Sequence, residues 1–160
     1  NGFAAGQLNM QQITRMVSSN AKQSLAQRSS DQISTSHSGS YFNAAQNGHG
    51  LAVEMLPNGS GLIYWYVFDD AGNQVWLLGS GAYNGAQLTV EMRIVTGSMF
   101  PPNFDSNDLT SDVWGTASLT FDDCNNATYT WQPESDQTQF TSGEMQLQRL
   151  TQLADLVCTD

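Results

Sequence analysis

The segment from Gly61 to Gly79 constrains the fold more than any other part of the chain. Its two apolar runs, 62–68 and 75–78, are rich in β-branched and aromatic residues, which favour strands. The residues between them, 69–73, supply Asp, Gly and Asn, which suit tight turns because they tolerate positive φ or bond their own backbone. The segment therefore predicts two antiparallel strands joined by a short turn.

Both faces of the first strand in this hairpin are apolar. Successive side chains of a strand point to opposite faces, so one face carries Leu62, Tyr64, Tyr66 and Phe68, and the other carries Ile63, Trp65 and Val67. We expect each face to be covered by other parts of the protein. A closed or two-layered β structure follows.

Short strands with turn signals continue along the rest of the chain, at the spacing of about 8 to 12 residues that is typical of barrels and sandwiches. We predict an all-β fold, an antiparallel up-and-down β-barrel of about eight strands, because closure removes the exposed edges of an open sheet. The predicted strands lie near 39–43, 49–56, 61–68, 74–81, 86–95, 114–122, 127–132 and 143–149.

Two terminal segments differ from the strand pattern. Residues 1–36 carry a thin apolar stripe at helical spacing, which predicts an N-terminal amphipathic helix and a linker outside a barrel domain of residues 37–160. This helix is expected to dock on the barrel or to associate with another copy. The leucines at 150, 153 and 156 predict a short C-terminal helix.

The connection 96–112 is too long and too rich in Pro, Asn and Asp for a hairpin turn. Such loops are often lids, binding loops or loops packed on their own aromatic residues, here Phe100 and Phe104. A loop that plugs one end of the barrel is an equally good interpretation.

The charge balance excludes two classes of partner. Five Lys and Arg residues stand against fifteen Asp and Glu residues, which gives a formal charge of −10. Nucleic-acid binding depends on cationic residues that neutralise phosphates, so we expect no nucleic-acid partner and no attraction to anionic membranes. Because no apolar run approaches the roughly 20 residues that a transmembrane helix needs, we also expect no membrane span.

The two cysteines, Cys124 and Cys158, have no spacing typical of a redox or zinc motif, and we expect them to form a disulfide. Such a bond would stabilise the fold by about 3 to 4 kcal/mol in the chain-entropy model. It favours an oxidising compartment, the periplasm or the cell exterior. Two buried free thiols are the alternative.

Recognisable motifs occur in five segments of the chain, 38–50, 64–76, 96–100, 113–116 and 119–121. Together these segments resemble a widespread, uncharacterised domain of exported proteobacterial proteins. In that family an opening of the form Gly-x-Trp-aromatic-Asn precedes a Gly-[His/Trp]-Gly strand, and a hairpin of the form Trp-Phe-x-Tyr-Asp-Ala-Asp-Gly-x-Pro-x-Trp follows. The resemblance covers residues 39–149, and Tyr41 stands where Trp is usual in the family. It implies an exported bacterial protein but no particular activity.

A more distant resemblance links the chain to lipocalin and avidin barrels, which open with a Gly-x-Trp strand. Gly39-Ser40-Tyr41 and Arg149 occupy the corresponding positions. The likeness implies a structural role for Arg149, as a cation stacked on the Tyr41 ring at the closed end of the barrel, worth roughly 0.5 to 2 kcal/mol.

Residues suited to catalysis or metal binding are few. A hydrolase would depend on His37, His49 or pairs of carboxylates, and the chain has no Gly-x-Ser-x-Gly nucleophile motif. A zinc site needs three or four ligands, and the acidic group at 105–108 does not match a calcium-loop pattern. We predict no catalytic site, no metal and no cofactor, and we expect His49 to bond a neighbouring loop.

The aromatic residues are the strongest functional resource, although they could simply fill the core. We predict a non-enzymatic exported β-barrel module that binds a small ligand or a protein partner. A structural domain that forms homo-oligomers through its N-terminal helix is the second hypothesis, and a hydrolase the third. The predicted ligand-binding residues are Tyr41, His49, Trp65, Trp76, Phe104 and Trp114.

Overall fold

A computed structural model describes residues 32–154 and 156–158, so the predicted N-terminal helix lies almost entirely outside the described residues. It confirms the all-β prediction, because eight antiparallel strands close into a barrel in sequence order. The strands are β1 (Gly39–Phe42), β2 (Gly50–Met55), β3 (Ser60–Phe68), β4 (Gln74–Asn84), β5 (Gln87–Thr96), β6 (Thr110–Phe121), β7 (Asn126–Pro133) and β8 (Gly143–Arg149).

Each strand pairs with the next, and the barrel closes where Tyr41 of β1 lies opposite Arg149 of β8. The predicted strands agree with those observed to within a few residues, except that β6 begins at Thr110 rather than near residue 114. Its first residues pair with the end of β5, with Ile94 opposite Asp112. The long connection is therefore shorter than predicted and spans 97–109.

The predicted hairpin is formed by β3 and β4, with Trp65 opposite Leu77 and Tyr66 opposite Trp76. The Asp69 carboxylate accepts hydrogen bonds from the backbone N–H groups of Ala71 and Asn73 at 3.0 and 2.8 Å. It also accepts one from the Asn73 side chain at 2.9 Å. These bonds hold the turn, and they lower the pKa of Asp69, the Asn73 side-chain amide most of all.

The core lies inside the barrel. Ile63 and Trp65 point inward and are 0% and 4% exposed, whereas Tyr66 and Phe68 point outward and are 55% and 41% exposed. The expectation that both faces of β3 are covered is therefore wrong for the outer face. A closed barrel needs only one core, because its own strands enclose the inward side chains.

One end of the barrel is closed by the segment that enters β1. Ile33 packs into the core, and its N–H donates to the carbonyl of Gly85 at 3.0 Å. A short 3-10 turn, Thr35–His37, follows. The buried Tyr41 hydroxyl donates to the His37 carbonyl at 2.7 Å, and its burial raises the pKa of Tyr41 to about 12, which the nearby Arg149 opposes. We call this the closed end.

Arg149 ties several segments together at the closed end. Its guanidinium donates to the carbonyls of Ser38 at 2.8 Å and of Cys124 and Thr151 at 3.1 Å, and also to the carbonyl of Ser36. The side chain thus joins the entry segment, the β6–β7 turn and the segment after β8. Because a charged donor strengthens each of these bonds, Arg149 stabilises the closed end.

The predicted disulfide between Cys124 and Cys158 is present. The predicted C-terminal helix is not observed in the described residues after Arg149, which contain only a turn between Leu153 and Leu156. The start of the segment is bonded to β1 instead, because the Leu150 N–H donates to the Ser40 carbonyl at 2.7 Å. Within the described ranges, no helix has the length and apolar character needed to cross a membrane.

Candidate functional site

The end of the barrel opposite the closed end contains a cavity of about 300 Å³, which we call the mouth. The loops after β1, β3 and β7 surround it, whereas the 97–109 connection contributes no lining residue. Six of the eleven lining residues are aromatic or aliphatic, and the other five have polar side chains. It consists of Gln46, His49, Trp65, Val67, Phe68, Asp70, Trp114, Trp131, Phe140, Thr141 and Ser142.

Trp65 of β3 is the centre of an aromatic cluster in the mouth. Its ring meets that of Trp114 edge to face, with centroids 5.8 Å apart, and that of Tyr129 at 5.1 Å. Trp131 lies at 5.1 Å from Trp65 in a tilted arrangement, and Phe140 packs against Trp114 at 5.4 Å. Such edge-to-face contacts are a preferred arrangement of aromatic pairs, so the rings support one another in the wall of the mouth.

A β-bulge places Trp114 in the mouth. The register between β5 and β6 shifts after Met92, so that Met92 lies opposite Gly115 and Arg93 lies opposite Val113. Trp114 is the extra residue, and it is buried next to a buried neighbour, which breaks the alternation of the strand. Bulges commonly re-aim a side chain in this way. Gly115 is needed there, because a Cβ would lie 2.2 Å from the carbonyl oxygen of Gln132.

Two of the indole groups in the mouth have unmet hydrogen-bonding capacity. The Nε1 atoms of Trp65 and Trp114 are buried and have no acceptor among the residues that the structure describes. Trp131 differs, because its Nε1 donates to the Thr141 carbonyl at 2.8 Å. The hydroxyl of Tyr129 is also buried without a partner in this part of the chain. A buried donor without an acceptor costs about 1 to 3 kcal/mol.

His49 provides the one imidazole of the mouth. Its Nε2 lies 3.2 Å from Oε1 of Gln46, and because a carbonyl oxygen can only accept, Nε2 is the donor. Nδ1 is then an acceptor, and it is buried with no partner in the described ranges. Burial lowers the pKa of His49, which keeps the ring neutral near pH 7.

The structure brings three of the six predicted ligand-binding residues together in the mouth: His49, Trp65 and Trp114. The other three lie elsewhere. Tyr41 is buried at the closed end, Trp76 is on the outer face of β4, and Phe104 is exposed on the 97–109 connection.

Sequence reasoning did not single out Trp131 and Phe140 as site residues. Trp131 lies on the strand predicted near 127–132, but its position at the mouth depends on the barrel register, with Trp131 opposite Ala117 and Gly143. Phe140 lies in the loop after β7, where no strand periodicity predicts which way a side chain points. The one signal that could have identified them is their place along the chain, because 131 is near the end of β7 and 140 is in the loop that follows it.

A second concavity, of about 380 Å³, lies at the mouth end of the β3–β4 hairpin. Its lining includes the exposed aromatic rings of Tyr66, Phe68 and Trp76. Tyr66 and Trp76 are directly opposite each other on adjacent strands. We call these three rings the outer aromatic face.

Two candidate metal clusters have structural explanations. His37, Cys124 and Cys158 lie within 4.8 Å of one another, but both sulfurs are in the disulfide and therefore are not thiolate ligands. Asp105 accepts hydrogen bonds from the backbone and side-chain nitrogens of Asn107 at 2.8 Å, which caps the 3-10 turn Ser106–Asp108. Its carboxylate thus serves the turn.

The fold and the site together define a closed eight-stranded up-and-down barrel with an aromatic cavity at one end. In comparisons with known proteins, no family model matches the chain, and no curated protein or solved structure shows significant similarity to it.

Proposed function

We propose that this protein is a non-enzymatic, exported barrel module that binds a small ligand in its mouth. The observation behind the proposal is that two side chains lining the mouth, Trp65 and Trp114, each hold a buried indole N–H group with no acceptor in the described part of the chain. Small-molecule sites are usually mostly apolar cavities with a few polar groups that orient the ligand. The mouth has this composition.

The energetics support a ligand as the missing acceptor. Two orphaned donors would cost on the order of 2 to 6 kcal/mol together, a large fraction of the roughly 5 to 15 kcal/mol that stabilises a typical domain. A core without function would be more stable with phenylalanine at both positions. A ligand that supplies acceptors recovers this free energy on binding.

Export to the periplasm or the cell exterior is supported by the disulfide, because such bonds persist in oxidising compartments. The resemblance to an exported bacterial domain points to the same compartment. The outer aromatic face favours a second candidate function, contact with a protein partner, since Tyr66, Phe68 and Trp76 are each more than two-fifths exposed.

A mouth-blocking substitution tests the proposal. Ser142 lines the mouth and is exposed, so Ser142→Phe should fill the cavity without disturbing the core. Ser135, also exposed and in the same loop but outside the lining, provides the matched control Ser135→Phe. Tryptophan fluorescence across a panel of glycans and lipids should show quenching in the native protein and the control, and none in Ser142→Phe.

Two other results would argue for a function other than ligand binding in the mouth. A flat response of the native protein to the whole panel would count against a ligand in the mouth. Self-association through the N-terminal segment would instead appear in light scattering as a smaller particle after deletion of residues 1–31, which is the test of an assembly domain.

A further inference from the structure

The geometry points to a particular class of ligand for the mouth: a small uncharged molecule that carries a hydrogen-bond-accepting oxygen and an N–H or O–H donor beside an apolar ring. This inference rests on the proposed function and adds the ligand's charge and polarity to it. Both follow from the side chains that the mouth contains.

The acceptor oxygen is required by the two free indole groups. Indole N–H can only donate, and the Nε1 atoms of Trp65 and Trp114 have no acceptor among the described residues. The donor on the ligand is required by His49, whose Nδ1 is an unpartnered acceptor once Nε2 donates to Gln46. A carboxamide or an alcohol offers both groups within a few atoms.

An anionic ligand is disfavoured because the described residues that line the mouth include no Lys or Arg to balance its charge. Arg93 and Arg149 are the only Lys or Arg residues in the described part of the chain. Arg93 bonds Glu91 and Ser111 away from the mouth lining, and Arg149 bonds four carbonyls at the closed end. A carboxylate or phosphate would lose its hydration and meet Asp70 at the rim.

A cationic ligand is disfavoured for a different reason. Cation binding by aromatic residues requires open ring faces within about 6 Å of the charge. In the mouth, the ring of Trp65 is already in contact with those of Trp114, Tyr129 and Trp131, at centroid distances of 5.1 to 5.8 Å. A cation also cannot accept a hydrogen bond, so both indole N–H groups would stay unpaired. The apolar walls instead suit a ring with a neutral polar substituent.

Three probes that share one ring and differ in the charge and hydrogen-bonding groups of a single substituent test the inference: cyclohexanecarboxamide, cyclohexanecarboxylate and cyclohexylmethylammonium. The chain has four tryptophans, so the indole region of an amide-correlation NMR spectrum of the full chain is simple to assign. We expect the carboxamide to move the indole signals of Trp65 and Trp114 downfield, and to bind at least tenfold more tightly than the carboxylate or the ammonium. Trp76, on the outer face, is the internal control.

One substitution tests whether the indole N–H of Trp114 contributes to binding, independently of the comparison among the three probes. Trp114→Phe keeps an aromatic ring and removes the donor, so it should weaken the carboxamide about threefold to tenfold, as for one lost hydrogen bond. The comparison among the three probes in the native protein holds even if this variant fails to fold. Equal or tighter binding of the carboxylate or ammonium would overturn the ligand class and leave a mouth site standing. No shift of Trp65 or Trp114 with any probe at millimolar concentration would overturn both.

Discussion

Trp65 and Trp114 meet edge to face in the mouth, with ring centroids 5.8 Å apart and planes at 89°, and the Nε1 atoms of both are buried without an acceptor in the described part of the chain. One residue comes from the β3–β4 hairpin and the other from the bulge in β6. Two elements distant in sequence therefore create the chemistry of one site.

The two buried tyrosines allow a comparison of the free energy of unfolding, because one hydroxyl has a hydrogen-bond partner and the other has none among the described residues. The Tyr41 hydroxyl donates to the His37 carbonyl, whereas that of Tyr129 has no partner among the described residues. Tyr129→Phe should be neutral or stabilising by up to about 1 kcal/mol, and Tyr41→Phe should destabilise by about 1 to 2 kcal/mol. Urea unfolding measures both. Equal losses would contradict the assignment of partners.

Arg149→Ala should destabilise the protein on the order of 3 kcal/mol, because it leaves several carbonyls at the closed end without their charged donor. The control is Arg93→Ala, which removes an exposed ion pair with Glu91 and should cost less than about 1 kcal/mol. Chemical unfolding compares the two free energies. Because Arg149 is at the end opposite the mouth, ligand affinity should change little, and a change confined to affinity would contradict this role.

Removal of the disulfide should also weaken the fold rather than the site. Replacing Cys124 and Cys158 together with Ser should lower the free energy of unfolding by about 3 to 4 kcal/mol, since the bond closes a loop of 34 residues. Denaturant unfolding measures the loss, and mass spectrometry after alkylation checks the native protein. Two alkylated thiols without reductant would show that the bond does not form in solution.

The β3–β4 turn should make stability depend on acid pH. Hydrogen bonds from Asn73, then from the turn backbone, hold the pKa of Asp69 below its ordinary value. A carboxyl that is more acidic in the folded state stabilises it above the unfolded pKa of about 4, and this contribution is lost as pH falls through the lowered folded value. Carboxyl NMR titration should give a pKa below the ordinary one for Asp69. A value at or above it would contradict these bonds.

Much of the barrel could be predicted from local patterns. The hairpin at 61–79 was predictable because β-branched and aromatic runs flank turn-forming residues, and the short turns after β2, β4 and β6 follow the same local chemistry. Up-and-down order was the simplest closure for strands joined mainly by short turns. The disulfide followed from having two cysteines and no metal motif.

The parts that sequence could not predict depend on contacts between distant residues. The bulge in β6, opposite Met92 and Arg93, has no signal in the local sequence, yet it sets the direction of the Trp114 side chain. The C-terminal leucines have helical spacing, but hydrogen bonds to Ser40 and the disulfide attach that segment to β1 and to the β6–β7 turn. Strand periodicity predicts that Tyr41 faces the inside of the barrel, as the mouth residues do. It does not predict at which end a residue lies, and Tyr41 is at the closed end.

The most direct test of a ligand-binding mouth is a crystal structure of the protein grown with cyclohexanecarboxamide. If the mouth binds a neutral ligand, the electron density should show the amide in the mouth, with its oxygen within hydrogen-bond distance of Nε1 of Trp65 or Trp114. A mouth filled by the chain's own side chains, with both indole N–H groups bonded to its own carbonyls, would contradict it.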